Sequence, residues 1–305
     1  MKKRLSRKFF CAKLLLFGEH IIHRGARGFA LPLNQYGGCM RLKAEKVHEL
    51  ESNRSLELLA NYIVYQDELC RRYDTNALLE DLENGLFFDS DIPQGYGLGS
   101  SGALVASVYY NYRKNRKTDI SLTELKSELA ALESYFHGKS SGLDATVSYL
   151  QKSVILVKGE VDEVFKFKQP PQPVFNIFLL NTRIARKTSP YVNMFLERCK
   201  NQAFYKMVEK SLVPANNIAI DAMLNRKYVA FWKSVKIISQ LHIDMLPDFI
   251  PNTFHEYWTR GLNTNQYALK ICGAGGGGFI IGFAPHDSDY RSLLAPNEII
   301  DIMQV

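Results

Sequence analysis

The sequence lacks any long apolar run: no stretch in its 305 residues reaches the roughly 18 that a membrane-spanning helix needs. The apolar segment from Phe9 to Phe17 contains Lys13 and is closed by Glu19, and no small-residue cleavage site follows, which argues against a secretory signal. The five cysteines are odd in number, widely separated and without a CxxC pair, which predicts free thiols in a reducing compartment. We therefore expect a cytoplasmic protein.

Internal repeats and low-complexity tracts are also absent, so the length favours two globular domains. The formal net charge is +7, but five basic residues among the first eight positions supply most of it. A near-neutral body with a basic tail does not form the cationic face of a nucleic-acid module. We therefore expect no nucleic-acid partner and no membrane partner.

Hydrophobic periodicity predicts helices and strands in mixed order. The predicted strands cover residues 8–17, 28–34, 39–47, 153–157, 163–167, 174–180, 266–271, 278–284 and 298–303, with a short one near Phe87. The predicted helices cover residues 56–73, 77–84, about 103–114 and 121–136, with three or four more between 188 and 260. This order favours an α+β fold over regular βαβ units. The proline-rich stretch 169–173 predicts a boundary between domains 1–172 and 173–305.

The strongest local motif is the glycine-rich stretch PQGYGLGSSG at residues 93–102, which leads directly into a helical segment. Alternating glycines let backbone N–H groups approach an anion, and the helix N-terminus adds free donors and partial positive charge. Phosphate is the expected guest. One alternative is a Rossmann fingerprint, but that would need a buried strand where residues 89–93 stand. A second is a Walker A loop, but its GK[ST] sequence is absent. The third is a plain glycine-rich turn before a helix.

A second glycine cluster, KICGAGGGG at residues 270–278, lies between two predicted strands. So many glycines are costly in conformational entropy unless the backbone must approach something closely. The alternative is a permissive β-turn, but two such loops suggest opposite sides of one site.

Charged side chains at two other places point to phosphoryl-transfer chemistry. Lys13 in a predicted buried strand needs a partner or a function, and the turn Gly18-Glu19-His20 ends that strand. Two carboxylates, Glu133 and Asp144, could hold Mg²⁺ and orient or deprotonate an attacking hydroxyl. Alone, Glu133 would be interpreted as a solvated helix residue. A zinc site at His20 and His23 is disfavoured because no cysteine or acidic ligand pattern surrounds them.

Together these motifs resemble those of the GHMP kinases, and most closely the mevalonate kinase branch. The segments AKLLLFGEH at 12–20, PQGYGLGSSGA at 93–103 and KICGAGGGG at 270–278 match the three family motifs in order. HGKSSGLDATVS at 137–148 is similar to that branch's HGxPSGxDxxVS, with Ser140 in place of proline. The chain departs from the pattern also at Phe10-Cys11, at Gly102, where alanine is usual, and at Arg27, where proline is common.

The resemblance implies a two-domain fold, with an N-terminal α+β domain like that of a ribosomal protein and a C-terminal ferredoxin-like domain. It implies ATP and Mg²⁺ as cofactors and a small-molecule alcohol as substrate; a homodimer is left open. The implied catalytic residues are Asp144 and Lys13, and the implied metal residues are Ser101 and Glu133. The implied nucleotide-binding residues are Gly95, Gly97, Leu98, Gly99, Ser100, Ser101, Gly275 and Gly277, and the implied substrate residues are Glu19, His20 and Thr188.

The predicted function is phosphorylation of the terminal hydroxyl of mevalonate in isoprenoid precursor synthesis. The alternatives are another GHMP kinase, for a sugar or for phosphomevalonate, and a non-catalytic nucleotide-binding regulator on the same fold. Ile21 and Ile22 after His20 predict an apolar wall suited to the methyl-bearing carbon of mevalonate. Arg183, Arg186 and Lys187 could meet its carboxylate or a phosphate.

Overall fold

The computed structural model describes residues 5–42, 51–116, 120–185 and 188–305, except the side chains of residues 51, 52, 137, 188 and 189. The chain divides into two compact units. Unit 1 comprises Met1–Lys13, Pro32–Pro93 and Leu98–Lys152, and unit 2 comprises Leu14–Leu31, Gln94–Gly97 and Ser153–Val305. The boundary predicted at residues 172/173 rests on the proline-rich stretch alone and stays a prediction.

The described strands and helices alternate in mixed order, which confirms the α+β class. The strands are β1 (Phe10–Phe17), β2 (Gly28–Leu42), β3 (Leu86–Ser90), β4 (Ser153–Val157), β5 (Glu160–Phe165), β6 (Phe175–Asn181), β7 (Ala268–Ile271), β8 (Phe279–Pro285) and β9 (Ile299–Gln304). The helices are α1 (Glu51–Tyr65), α2 (Asp67–Arg72), α3 (Thr75–Glu83), α4 (Ser100–Tyr112), α5 (Leu122–His137), α6 (Leu143–Leu150), α7 (Thr188–Arg198), α8 (Gln202–Met207), α9 (Val213–Leu224), α10 (Tyr228–Met245), α11 (His255–Thr264) and α12 (Tyr290–Leu294).

The first sheet has the strand order β1-β2-β4-β5, with β3 paired to the other end of β2. Strand β2 is long enough to pair with β4 at one end and with β3 at the other because it runs without a break through Gly37 and Gly38. The sequence predicted two strands here, 28–34 and 39–47, and that division was wrong; residues 43–47 lie outside the described part of the chain. The rings of Phe9 and Phe88 occupy the space where Cβ atoms would stand at positions 37 and 38.

The second sheet has the order β7-β8-β6-β9, and all of its neighbouring strands are antiparallel. In chain order this is 2-3-1-4, with helices between the first and second strands and between the third and fourth. That topology is the ferredoxin-like arrangement expected for the C-terminal part of the chain. Its core is aromatic, and Phe231 contacts Phe17, Phe175 and Phe283 with ring centroids 5.5–6.5 Å apart.

Helix α4 forms the centre of unit 1 and packs against α5 and α6. Nine of its thirteen residues are buried, which matches its small-residue and apolar sequence. A helix apolar on every side belongs inside a protein rather than on its surface. Gly99 is the N-cap residue of this buried helix.

Helices α8 and α9 are joined by one π-helical turn, Val208–Leu212, into a single long rod. Pro214 lies at the start of α9 and has no N–H to donate to the carbonyl four residues earlier. A π-helical turn is a common way for a helix to accommodate such an interruption. The sequence predicted three or four helices between residues 188 and 260, and counting this rod as one gives four.

No helix in the described ranges is both long and apolar enough to span a bilayer. The five cysteines all lie within the described part of the chain, and no disulfide joins them.

Candidate active site

An ion pair joins the two residues predicted to be catalytic. Lys13 Nζ lies 2.7 Å from Asp144 Oδ1, and the two side chains are 9% and 30% exposed. Strand β1 carries Lys13 and its backbone N–H donates to Leu98 O at 2.8 Å, while Asp144 stands in the first turn of α6. The carboxylate is thus accessible from one side and held by a nearly buried cation on the other.

The glycine-rich stretch at residues 93–102, the predicted phosphate loop, lies directly against Asp144 at Gly99 and Gly102. Gly99 precedes α4 with φ +71°, and a Cβ there would lie 3.0 Å from Asp144 Oδ2. Gly102 follows in the first turn of α4, and a Cβ there would lie 2.7 Å from the backbone of Asp144 and Ala145. The departure from alanine at position 102 therefore has a physical reason, since the starts of α4 and α6 approach too closely for a methyl group.

The other five predicted loop residues precede α4 or lie in its first turn. Gly95 and Gly97 both have left-handed φ, Leu98 is buried, and Ser100 is the first residue of α4. Ser101 follows in the first helical turn. No side chain caps the N-terminus of α4. A helix start without a side-chain cap offers its first N–H groups to an anion.

Glu133 is a buried carboxylate in α5 whose two oxygens have different environments. Oε2 accepts a 2.5 Å hydrogen bond from Ser140 Oγ, and that hydroxyl in turn accepts from Gly142 N at 3.1 Å. Oε1 is buried and has no hydrogen-bond partner among the described residues. Burial and the nearby negative charge of Asp144 raise the pKa of Glu133 to about 7.

This carboxylate fits the magnesium site that the resemblance implies. A buried carboxylate oxygen without a partner is costly, and a divalent cation would satisfy it. The described residues contain no group of three or more His, Cys, Asp or Glu that could ligate a metal. Mg²⁺ in kinases needs only one or two protein oxygens because substrate phosphates and waters complete its coordination. Ser140 is the residue that sequence reasoning did not assign, although its replacement of the usual proline marked the position.

The second glycine cluster belongs to unit 2, where it packs against residues 94–97 of the phosphate loop. A Cβ at Gly278 would lie 2.8 Å from Tyr96 O, and the Tyr96 ring lies 5.1 Å from that of Phe279. Residues 94–97 and the second glycine cluster are therefore neighbours within unit 2. That the two glycine-rich stretches form opposite sides of one site stays a prediction.

Close packing within the protein already explains several glycines of this cluster. A Cβ at Gly276 would lie 1.8 Å from the Tyr191 ring, and one at Gly277 would lie 2.5 Å from Ile184 O. The N–H groups of Gly275, Gly276 and Gly278 all donate to backbone carbonyls of the protein. Nucleotide contacts by Gly275 and Gly277 stay a prediction.

The Gly18-Glu19-His20 turn is anchored to the same cluster. Lys270 Nζ donates to Glu19 Oε2, and the two side chains are 2% and 5% exposed. His20 Nε2 lies 3.2 Å from Ala274 O, and its ring stacks on Phe195 at 4.8 Å. Lys270 belongs to the third motif, and the sequence alone assigns it no role. The folded structure brings it to Glu19, 251 residues away.

The remaining acceptor predictions have different outcomes. Thr188 begins α7, and its side chain lies outside the described residues, as do Arg186 and Lys187 entirely. Arg183 is exposed. Ile21 is only 2% exposed and Ile22 is half-buried. That they form an apolar wall for a ligand stays a prediction.

We expect Glu19→Gln to lower the free energy of unfolding by about 3–5 kcal/mol, the scale for leaving one partner of a buried ion pair uncompensated. Urea denaturation measures this. Glu256→Gln is the matched control, because Glu256 is 81% exposed in its pair with Arg260 and should contribute about 0.5 kcal/mol or less. Equal, small effects of the two substitutions would show that the Glu19–Lys270 pair does not hold the turn.

Comparison with known proteins agrees with this geometry. Residues 61–152 match the family model described as the GHMP kinases N-terminal domain. A curated mevalonate kinase from Pyrococcus furiosus is 24% identical over 313 residues, covering 90% of this chain and 88% of that protein.

Solved structures share the fold over nearly the whole length. A crystal structure of L. major mevalonate kinase in complex with R-mevalonate has a TM-score of 0.68 at 16% identity, covering 99% of this chain and 97% of that one. Streptococcus pneumoniae phosphomevalonate kinase, in complex with phosphomevalonate and AMPPNP, has a TM-score of 0.66 at 15% identity, covering 97% and 100%. Residues 61–152 therefore match a GHMP kinase domain, and the two-domain α+β fold of the chain is similar to that of GHMP kinases.

Proposed function

We propose that the protein is an ATP-dependent kinase that phosphorylates the terminal hydroxyl of mevalonate in the cytoplasm. The observation that carries the proposal is the Lys13–Asp144 ion pair placed against Gly99 at the start of α4. Phosphoryl transfer needs positioning and charge neutralisation more than covalent chemistry. The N-terminus of α4 for phosphates, a carboxylate for the acceptor and a nearly buried cation supply these needs within unit 1.

Each residue has a defined task in this proposal. The backbone of residues 95–101 and the N-terminus of α4 bind the nucleotide phosphates. Asp144 accepts a hydrogen bond from the acceptor hydroxyl. This bond orients the hydroxyl oxygen, and the Asp144 carboxylate can receive the hydroxyl proton. Lys13 stabilises the negative charge that develops on that oxygen, and its contact with Asp144 fixes the position of both groups.

Glu133 and Ser101 would hold Mg²⁺, whose chemistry here is to neutralise charge on the transferring phosphates. Ser140 positions the Glu133 carboxylate, because its hydroxyl accepts from Gly142 N and donates to Oε2. That bond leaves Oε1 as the oxygen available to a cation.

Acceptor choice is the finer part of the proposal. We assign Glu19, His20 and Thr188 to the acceptor region, as the resemblance implies, with Glu19 acting through its bond to Lys270. The GEHxDY motif of galactokinases is absent from the sequence. The mevalonate kinase and phosphomevalonate kinase matches support an acceptor of the mevalonate series.

A panel of alcohol acceptors assayed for ADP release tests the proposal. We expect release with mevalonate and little with phosphomevalonate, galactose or homoserine. Efficient phosphorylation of one of these others would replace the acceptor and retain the kinase. ATP binding without ADP release for any acceptor would favour the non-catalytic regulator.

We expect Glu133→Gln to raise the Mg²⁺ concentration needed for half-maximal activity by roughly tenfold or more, because the buried carboxylate loses its charge. Ser140→Ala should raise it by less, since the carboxylate remains and only its orientation is lost. The matched control is Glu124→Gln, an exposed residue of the same helix whose capping position also accepts glutamine. An unchanged Mg²⁺ requirement in Glu133→Gln would return Glu133 to a structural role.

A further inference from the structure

A cavity of about 500 Å³ lies in unit 2, and none of its lining residues belongs to the glycine loops or to the Lys13, Asp144 and Glu133 cluster. Its volume falls within the range of small-molecule sites. Half-buried Phe165 and Phe167 line one part of it, and their rings lie 5.8 and 6.2 Å from that of buried Phe29. The cavity therefore has an aromatic, apolar portion.

Cationic side chains outnumber acidic ones in the lining. Arg27, Lys166, Lys168 and Arg226 line the cavity together with two acids, Glu163 and Asp221. Of these, Asp221 is paired with Arg27. The side chains of the other three cations have no ion pair or hydrogen bond within the described ranges. Cationic side chains that have no protein partner and lie beside apolar surface are suited to a ligand with an anionic group and an apolar part.

Arg27 gives this cavity a feature specific to the chain. It stands where proline is common in the family, and its N–H donates to Asn217 Oδ1 at 2.8 Å, which proline could not do. Asn216 Nδ2 donates to Arg27 O at 2.8 Å, and the guanidinium pairs with Asp221. Three contacts therefore fix Arg27 to α9, with part of its guanidinium still exposed at the cavity.

Arg226 is held in an unfavourable backbone conformation at the same place. Its φ is +56°, in the left-handed region where glycine or asparagine is favoured after a helix. Keeping a long cationic side chain there costs about 1 kcal/mol or more in backbone energy. A ligand that uses the guanidinium would account for arginine at this position.

We propose that this cavity binds a small organic phosphate, with the phosphate on Arg226 and the lysines and the apolar body against Phe165 and Phe167. The guanidinium fork suits bidentate binding of phosphate. The proposal does not depend on which alcohol the enzyme phosphorylates.

Calorimetric titration of the full-length protein with hexyl phosphate tests this, with inorganic phosphate and hexanol as the two separate halves of the probe. Saturating ATP is present to fill the phosphate loop. We expect one saturable site for hexyl phosphate and binding about tenfold or more weaker for each half.

Arg226→Asn removes the charge and keeps a residue that tolerates the left-handed backbone. It should weaken hexyl phosphate binding roughly tenfold, the scale of a charge-assisted hydrogen bond, and Lys166→Ala should weaken it less. Lys210→Ala, at an exposed position of the same unit, should change it by about twofold or less. No saturable binding in the presence of ATP, equal binding by Arg226→Asn, or hexanol binding as tight as hexyl phosphate would each overturn the proposal.

Discussion

Asp144→Asn should lower turnover by roughly a hundredfold or more while the fold and ATP binding are retained. Asparagine has the same shape as aspartate and can still accept a hydrogen bond from Lys13 Nζ, 2.7 Å away in the native pair. It cannot accept a proton from the acceptor hydroxyl, and it carries no charge to orient that hydroxyl strongly. The loss should therefore appear in kcat rather than in the affinity for ATP.

Steady-state kinetics with mevalonate and a separate nucleotide titration measure the two quantities. The matched control is Asp89→Asn, because Asp89 is about half exposed in its pair with Arg41 and belongs to the same unit. We expect this control to retain activity within about twofold, since exposed pairs contribute little. Normal turnover by Asp144→Asn would remove Asp144 from the mechanism.

Lys13→Met should reduce turnover on a similar scale, because removing one preorganised electrostatic group costs roughly a hundredfold to a thousandfold. Methionine preserves much of the apolar stem in the buried strand β1 and removes only the charge. The nearly buried position 13 then carries an apolar side chain, and the Asp144 carboxylate stays partly exposed to solvent. We expect the fold to survive and the chemical step to fail.

Lys139→Met is the control for this substitution, since Lys139 is an exposed lysine of the same motif as Asp144. Single-turnover measurement with saturating ATP and acceptor isolates the chemical step from binding. If Lys13→Met loses affinity for ATP and keeps its single-turnover rate, Lys13 binds nucleotide and does not stabilise the reacting oxygen.

Lys13, Gly99 and Asp144 could be predicted as site residues from the sequence because each stands in a short motif with a physical signature. Three local patterns are unusual unless the residues have a function. They are a lysine in a buried strand, alternating glycines before a helix, and the carboxylate of Asp144 shortly after Gly142. The structure brings Lys13, Gly99 and Asp144 together, as the resemblance implied for Lys13 and Asp144. Their catalytic roles stay predictions.

Interactions between distant residues could not be predicted in the same way. The Glu19–Lys270 pair joins positions 251 residues apart, and nothing in either local pattern names the other. The Ser140–Glu133 bond depends on how the loop after α5 turns back on that helix. Both are consequences of tertiary packing.

Secondary structure was mispredicted where packing overrides local signals. The gap between the predicted strands 28–34 and 39–47 contains Gly37 and Gly38, which accommodate the rings of Phe9 and Phe88 within one continuous strand. Helix α6 was missed because it is only eight residues long and begins after Gly142 without a capping side chain. The predicted helix 56–73 is instead two helices, because Gln66 adopts an extended conformation between them.

The most direct test of the central claim is to identify the phosphorylated product. The protein is incubated with ATP, Mg²⁺ and mevalonate, and phosphorus NMR with mass spectrometry locates the transferred phosphate. We expect a phosphate ester on the terminal hydroxyl of mevalonate in stoichiometric proportion to ADP, and none from Asp144→Asn over the same time. ADP accompanied only by inorganic phosphate, or an ester formed equally well by Asp144→Asn, would contradict the account.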